Sequence, residues 1–170
     1  MRVETSRFGT VEVDEERVIR FASGLVGMPE ERRWTLLEAA PHGPRQGTGA
    51  GSAPLRWLQS LDHGDVALVV VDPLAFWPAY ARVLDEAPAP KEAPAPGEEV
   101  PAGRPLLLCV AVVPPERPLE TTVNLRAPLL IDPVRRVGRQ VILEDERWPL
   151  RQPLFAPLAA GAAGLGEARC

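Results

Sequence analysis

Histidines, cysteines and closely spaced acidic residues are where a chain of this size would keep its chemistry, and here they are few. One histidine, His42, lies in a glycine-rich stretch and the other, His63, in the DHGD run at 62–65. No His–His or Cys–Cys pair has the spacing of a zinc site. Asp62, His63 and Asp65 could share an ion, or Asp62 and His63 could act as an acid–base pair; a polar turn between two strands accounts for the same residues. Ser23 and Ser60 are not in a Gly-x-Ser-x-Gly elbow. The glycine run GTGAGS at 47–52 lacks the lysine and following helix of a phosphate cradle. Cys109 falls inside an apolar run and Cys170 is the last residue, which reads as a buried small hydrophobe and a tail thiol. No catalytic residue, metal ligand or cofactor site is therefore assigned.

Binding is the chemistry the remaining residues offer. Residues 1–16 carry Glu4, Glu12, Asp14, Glu15 and Glu16 against Arg2 and Arg7, and Glu144, Asp145 and Glu146 form a second acidic group. Such clusters are either solvated turns or a surface for a basic partner, where complementary charge raises association rate more than affinity. Phe76, Trp77 and Tyr80 crowd around Pro78, as an exposed aromatic anchor or as a plug in the core. The candidate partner-binding residues are thus Asp14, Glu15, Glu16, Phe76, Trp77, Glu144, Asp145 and Glu146. Arg135, Arg136 and Arg139 make the one tight basic cluster and leave a second reading open, a small RNA-binding β-barrel. Against it, no strand interleaves basic and aromatic residues.

The elements that would position these groups are short. Of the 170 residues, 14 are glycine and 20 proline, concentrated in 41–54, 85–105 and 156–170. Interior prolines cost about 3 kcal/mol in a helix, so strands are expected. Brief β-branched or aromatic runs occur at 10–13, 18–21 and 35–37, with a short helix from Pro29 to about Trp34. Leu55–Leu61 alternates, while Val66–Val71 and Leu106–Val113 are apolar throughout, as strands covered on both faces would be. Tyr80–Leu84 could form another strand. The clearest alternation sets Leu119, Thr121, Val123 and Leu125 against Glu120, Thr122, Asn124 and Arg126. Leu129–Ile131 and Gln140–Leu143 complete the set, with Gly138 between them for a turn or bulge. No strand–helix–strand rhythm appears. The fold class expected is all-β and mostly antiparallel, a compact barrel-like or sandwich-like single domain of about ten short strands with one short helix. It would span 1–155, with insertions 41–54 and 85–105 and a loose tail at 156–170.

Composition narrows the class further. The longest proline-free apolar run is eight residues, against the roughly 20 of a membrane helix. Charges stand where a secretory leader would be apolar, so a cytoplasmic protein is expected, with no membrane partner. Net charge is −4, and segment 85–105 alone carries five acidic against two basic residues. The rest is nearly neutral, unlike the basic field of a nucleic-acid binder.

Three stretches together resemble the flagellar assembly factor FliW family: VEVDEERVIRFASGLVGMPE at 11–30, LRWLQSLDHGDVALVVVDPLAFWPAY at 55–80, and TTVNLRAPLLIDPVRRVGRQVILEDERWPLRQPL at 121–154. The resemblance implies a β-barrel-like protein without catalytic activity. It further implies binding to the translational regulator CsrA and to flagellin, so that export of flagellin frees the factor to capture CsrA and relieve translation of flagellin mRNA. A monomer on its own is expected. The chain departs from the family in DHGD where relatives read closer to DDPD, in Met28 for phenylalanine and in Trp148 for tyrosine. It also has a Pro-Ala tract where relatives often have a short acidic helical segment.

Overall fold

Alternating side chains force each strand to present two different faces, and this molecule uses nearly all of them. The computed structural model describes residues 1–38, 45–46, 54–86 and 104–159. Their elements are β1 (Arg2–Thr5), β2 (Gly9–Glu12), β3 (Ile19–Phe21), β4 (Arg33–Glu38), β5 (Arg45–Gln46), β6 (Leu55–Ser60) and β7 (Ala67–Val71). The helix α1 (Arg82–Glu86) follows, then β8 (Leu106–Val112), β9 (Thr122–Val123), β10 (Leu129–Asp132), β11 (Val137–Gln140) and β12 (Gln152–Pro153). Four single 3-10 turns lie between them.

Seven strands close a barrel in the order β10-β11-β3-β4-β6-β7-β8, and β8 pairs back onto β10. Closure removes the sheet edges that would otherwise template association. All pairings are antiparallel except β3 with β11. The first half of β8 pairs β10 and its second half pairs β9, which with β12 forms a short extension. β5 adds to β4, and β1–β2 form a separate hairpin.

Three apolar clusters follow from this topology. Ile19, Phe21, Trp34, Leu36, Leu58, Val70, Leu108, Leu129 and Ile131 fill the barrel. The opposite faces of β7, β8 and β10, through Val71, Leu107, Cys109, Ala111 and Leu130, pack under Trp77, Tyr80, Val83, Trp148 and Leu154. The hairpin lays Val11 and Val13 over Leu37 and Leu61, with Trp57 half-buried beside them. Because β7 and β8 are covered on both sides, their sequences read as unbroken apolar runs.

Several local expectations are corrected. No helix runs from Pro29 to Trp34: Leu25 and Met28 form a bridge, Gly24 and Gly27 take positive φ, and Trp34 enters β4, fully buried in the barrel. Tyr80–Leu84 is not a strand. Pro78, with its preset φ, begins a 3-10 turn that runs into α1, so that Tyr80 and Val83 both face the core. In 119–126 only Thr122–Val123 is strand. Thr121, Val123 and Leu125 are buried as the alternation requires, but Pro118 starts a turn that leaves Leu119 79% exposed. β11 begins earlier than expected, at Val137, and Gly138 lies inside it, where an added Cβ would sit 2.5 Å from the Phe21 ring. β1 was not anticipated, nor was β5 within 41–54.

Most of 41–54, 85–105 and 156–170 lies outside the described residues. At the start of the last segment the chain is fastened: the Trp77 indole donates to the Ala156 carbonyl at 3.0 Å, and Leu158 packs on the outer cluster.

Candidate functional site

The residues that could have done acid–base work form a structural knot at the β6–β7 turn. Asp62 accepts from the backbone N–H groups of Arg32 (2.7 Å) and Arg33 (2.8 Å) and from Arg33 Nε (2.7 Å). Partial burial raises its carboxyl pKa, but the hydrogen bonds from Arg33 and Arg32 outweigh that and hold it below the ordinary range. His63 turns away from Asp62. Its Nδ1 lies 2.5 Å from Oε1 of Glu31, whose other oxygen accepts from the Ser60 hydroxyl. Ser60 Oγ in turn accepts from the N–H groups of Asp62 and His63, each at 3.1 Å. Glu31 and Ser60 are buried, and the Asp62–His63 pairing proposed from sequence is not formed. Sequence reading missed Glu31, which lies 32 positions from His63 and becomes its neighbour only through β4–β6 pairing. Among the described residues no group of three or more His, Cys, Asp or Glu is arranged to hold a metal ion.

The acidic candidates divide into two places. Asp14, Glu15 and Glu16 are exposed on the 3-10 turn ahead of β3, with Asp14 3.7 Å from Arg17. Glu144, Asp145 and Glu146 follow β11. Since β3 and β11 run parallel, the two groups sit at opposite ends of that pair. Asp145 is not an open charge. Arg147 donates from Nε to both its oxygens (2.9 and 2.7 Å) and from Nη2 to one of them, and these bonds pull its pKa down to about 2. Glu144 and Glu146 remain exposed.

Trp77 is the core plug and not an exposed anchor: it is 5% exposed, with Phe76 half-buried against it at a ring separation of 5.8 Å. Tyr80 meets Trp148 edge to face at 4.9 Å, and its hydroxyl donates to the Leu125 carbonyl. Through the Tyr80–Trp148 contact the fold brings the Phe76–Trp77 segment beside 144–148 and leaves 14–16 apart.

The three arginines of the RNA-binding reading do not share one face. Arg135 and Arg136 are on the β10–β11 turn, Arg136 with φ +57°. Arg139 is paired with Leu130, which belongs to the outer core cluster, and two of its guanidinium nitrogens are buried.

An apolar surface replaces the anchor that sequence reading placed at Trp77. Val26 (63% exposed), Ile142 (62%) and Leu150 (55%) rim a groove of about 290 Å³ floored by half-buried Met28, Leu68 and Val110. Val26 sits at the tip of the loop closed by Gly24 and Gly27, its N–H held by Gln140 Oε1 at 2.8 Å. Beyond β11 the chain stays extended: Val141 and Leu143 donate to the Pro128 and Arg126 carbonyls, so Ile142 and Glu144 both point outward. The signal available in sequence was the GLVG phrase, where a β-branched apolar residue stands between turn residues.

Comparisons with known proteins agree on one assignment. A family profile described as "FliW protein" matches residues 2–154. The chain is 34% identical over 158 residues to the flagellar assembly factor FliW of Caldanaerobacter subterraneus subsp. tengcongensis, covering 93% of this chain and 95% of that one. To the protein of the same name from Syntrophus aciditrophicus it is 32% identical over 155 residues, covering 91% and 88%. A crystal structure of the flagellar assembly factor FliW superposes with a TM-score of 0.67 at 23% identity, over 92% of this chain and 98% of that one.

Proposed function

The chain belongs to the FliW family of flagellar assembly factors, and from that premise we propose that it is a non-enzymatic regulator that binds CsrA and also flagellin. A role in flagellar assembly comes with the family, which is not a known family of enzymes. Among the described residues no helix is long and apolar enough to cross a membrane. The finer reading is that flagellin export releases this protein to capture CsrA in the cytoplasm, relieving translation of flagellin mRNA. It works as a monomer, without a cofactor and without contacting nucleic acid itself.

The observation that carries this reading is the exposed apolar group Val26, Ile142 and Leu150, with exposed Glu144 and Glu146 following Ile142 in the chain. Exposed apolar side chains gathered on one groove mark association sites, and exposed acidic residues in the adjoining segment favour a basic partner. The polar residues of the groove support it by spending their hydrogen bonds on the framework. Asn124 Oδ1 accepts from the Arg126 and Ala127 N–H groups, Gln140 Nε2 donates to the Ala127 carbonyl, and Arg126 donates to the Trp148 and Glu146 carbonyls.

Isothermal titration of the purified protein with CsrA and with flagellin from the same organism tests the reading. Saturable heat with both is expected. No heat with either, well above micromolar concentration, rejects it.

A further inference from the structure

A second groove, on another part of the barrel wall, has the opposite polarity. It has a volume of about 510 Å³ and is walled by Arg20, Arg32 and Arg33, with Glu30 and Asp62, over Phe21, Ala22 and Val137. Arg20 on β3 and Arg33 on β4 are direct cross-strand partners. Like charges set opposite each other in a sheet destabilise it, so an anion beside this pair is favourable. Of the three guanidinium groups, Asp62 pairs with that of Arg33, through the 2.7 Å contact to its Nε; Arg32 gives it only a backbone N–H. The Arg32 side chain makes one long contact, Nε to the Pro29 carbonyl at 3.4 Å. Among the described residues the Arg20 side chain has no hydrogen bond or ion pair; its backbone N–H donates to the Arg136 carbonyl at 2.9 Å. Two guanidinium groups without a carboxylate partner among the described residues therefore line one concavity of a chain whose net charge is −4.

We propose that this groove is a second docking site, for a carboxylate-bearing segment of a protein partner, with Arg20 and Arg32 as its anion-binding residues. A planar guanidinium takes a carboxylate through two parallel N–H donors, and the site offers two such forks beside apolar Ala22 and Val137. The occupant is peptide-like and not a nucleic acid. Phe21, the one aromatic ring among the described residues lining the groove, is fully buried and cannot stack on a base. The groove lies apart from the apolar rim of Val26, Ile142 and Leu150 and shares no lining residue with it. Partners of opposite charge would therefore meet different surfaces.

The test is amide-resolved NMR titration of the isotope-labelled full chain with a glutamate-leucine peptide, its glutamine-leucine counterpart, oligouridylate and inorganic phosphate, each added separately. The glutamate peptide is expected to shift the Arg20, Ala22 and Val137 amides saturably, and the glutamine peptide to bind at least about tenfold more weakly, the loss expected for charge-assisted bonds. Arg20→Gln should weaken the glutamate peptide about tenfold while leaving the thermal midpoint of the free protein unchanged or higher, because a like-charge pair is relieved. Equal binding of both peptides, tighter binding of oligouridylate or phosphate, or no saturable shift overturns the proposal. So does a lowered midpoint in Arg20→Gln, which would make Arg20 a structural residue. None of these outcomes depends on CsrA or flagellin binding, so this site and the function proposed above stand or fall separately.

Discussion

At Asp62 one carboxylate organises a whole turn by accepting three N–H donors from Arg32 and Arg33. Hydrogen bonds to a charged group contribute about 1.5–3 kcal/mol each at most, so Asp62→Ala should cost about 2–3 kcal/mol in urea denaturation at neutral pH. The carboxyl pKa is lower in the folded state than in the unfolded chain. The unfolded chain therefore binds more protons in that window, and the stabilisation is full above the ordinary carboxylate pKa and fades as pH falls through the folded value. The gap between wild type and Asp62→Ala should accordingly narrow on acidification; a gap independent of pH would show that the charge plays no part. Cys109 makes a second residue-scale case. It is fully buried, and burial pushes its thiol up to about 12, where thiolate chemistry is suppressed. In a Cys170→Ser background the native protein should be inert to a thiol-specific disulfide reagent at pH 8 and react fully in guanidinium. Rapid reaction in the native state would mean that the outer layer opens.

Elements are fixed here by what glycine permits. Gly138 lets β11 lie directly on the Phe21 ring, 2.5 Å from where a Cβ would be. Gly138→Ala should cost about 1–3 kcal/mol by overpacking, read as a lower urea midpoint with unchanged slope. Phe21→Leu should recover part of that loss when combined with it, since the two sites share the same space. Gly64 plays the same part for the N-terminal hairpin. Its carbonyl accepts from the Ser6 N–H at 3.1 Å, and an added Cβ would fall 1.9 Å from the Glu4 carbonyl oxygen. Gly64→Ala should lift β1–β2 off the barrel, exposing residues 1–18 to limited proteolysis while the barrel fragment persists. Unchanged protection would mean that the hairpin is held mainly by Val11 and Val13. The element pattern itself was legible wherever one face was wet or both were dry, as in β6, β7 and β8. It was illegible where prolines and loop geometry overrode propensity, as at Leu119 and in the 78–86 segment.

Over the whole molecule, charge is sorted by place more than by amount. Glu144 and Glu146 are exposed in the segment that follows Ile142 of the apolar groove, and Arg20 and Arg32 line the other. Electrostatic steering acts on association rate and is screened by salt. Glu144→Lys with Glu146→Lys should therefore slow association with CsrA, the basic partner proposed above, by about tenfold at low ionic strength and flatten its salt dependence, measured by stopped-flow mixing. Asp145→Asn should change little, because Arg147 already neutralises that carboxylate. Equal rates for wild type and the double variant would move the basic partner to another surface, with Asp14, Glu15 and Glu16 the next to test.

Period-two alternation, unbroken apolar runs and proline spacing determined from sequence alone that this is a β protein, because those patterns follow from the strand's own geometry. The family could be read there too, in motifs local enough to survive as text. Which residues meet could not. Glu31 and His63, Arg20 and Arg33, and Val26 and Ile142 become neighbours only when strands far apart in the chain are placed in register around a closed barrel. Outside the strands, the turns that begin at Pro78 and Pro118 left Trp77 buried and Leu119 exposed, since a side chain's face there is set by how the connecting segment packs on the barrel and not by its own hydrophobicity.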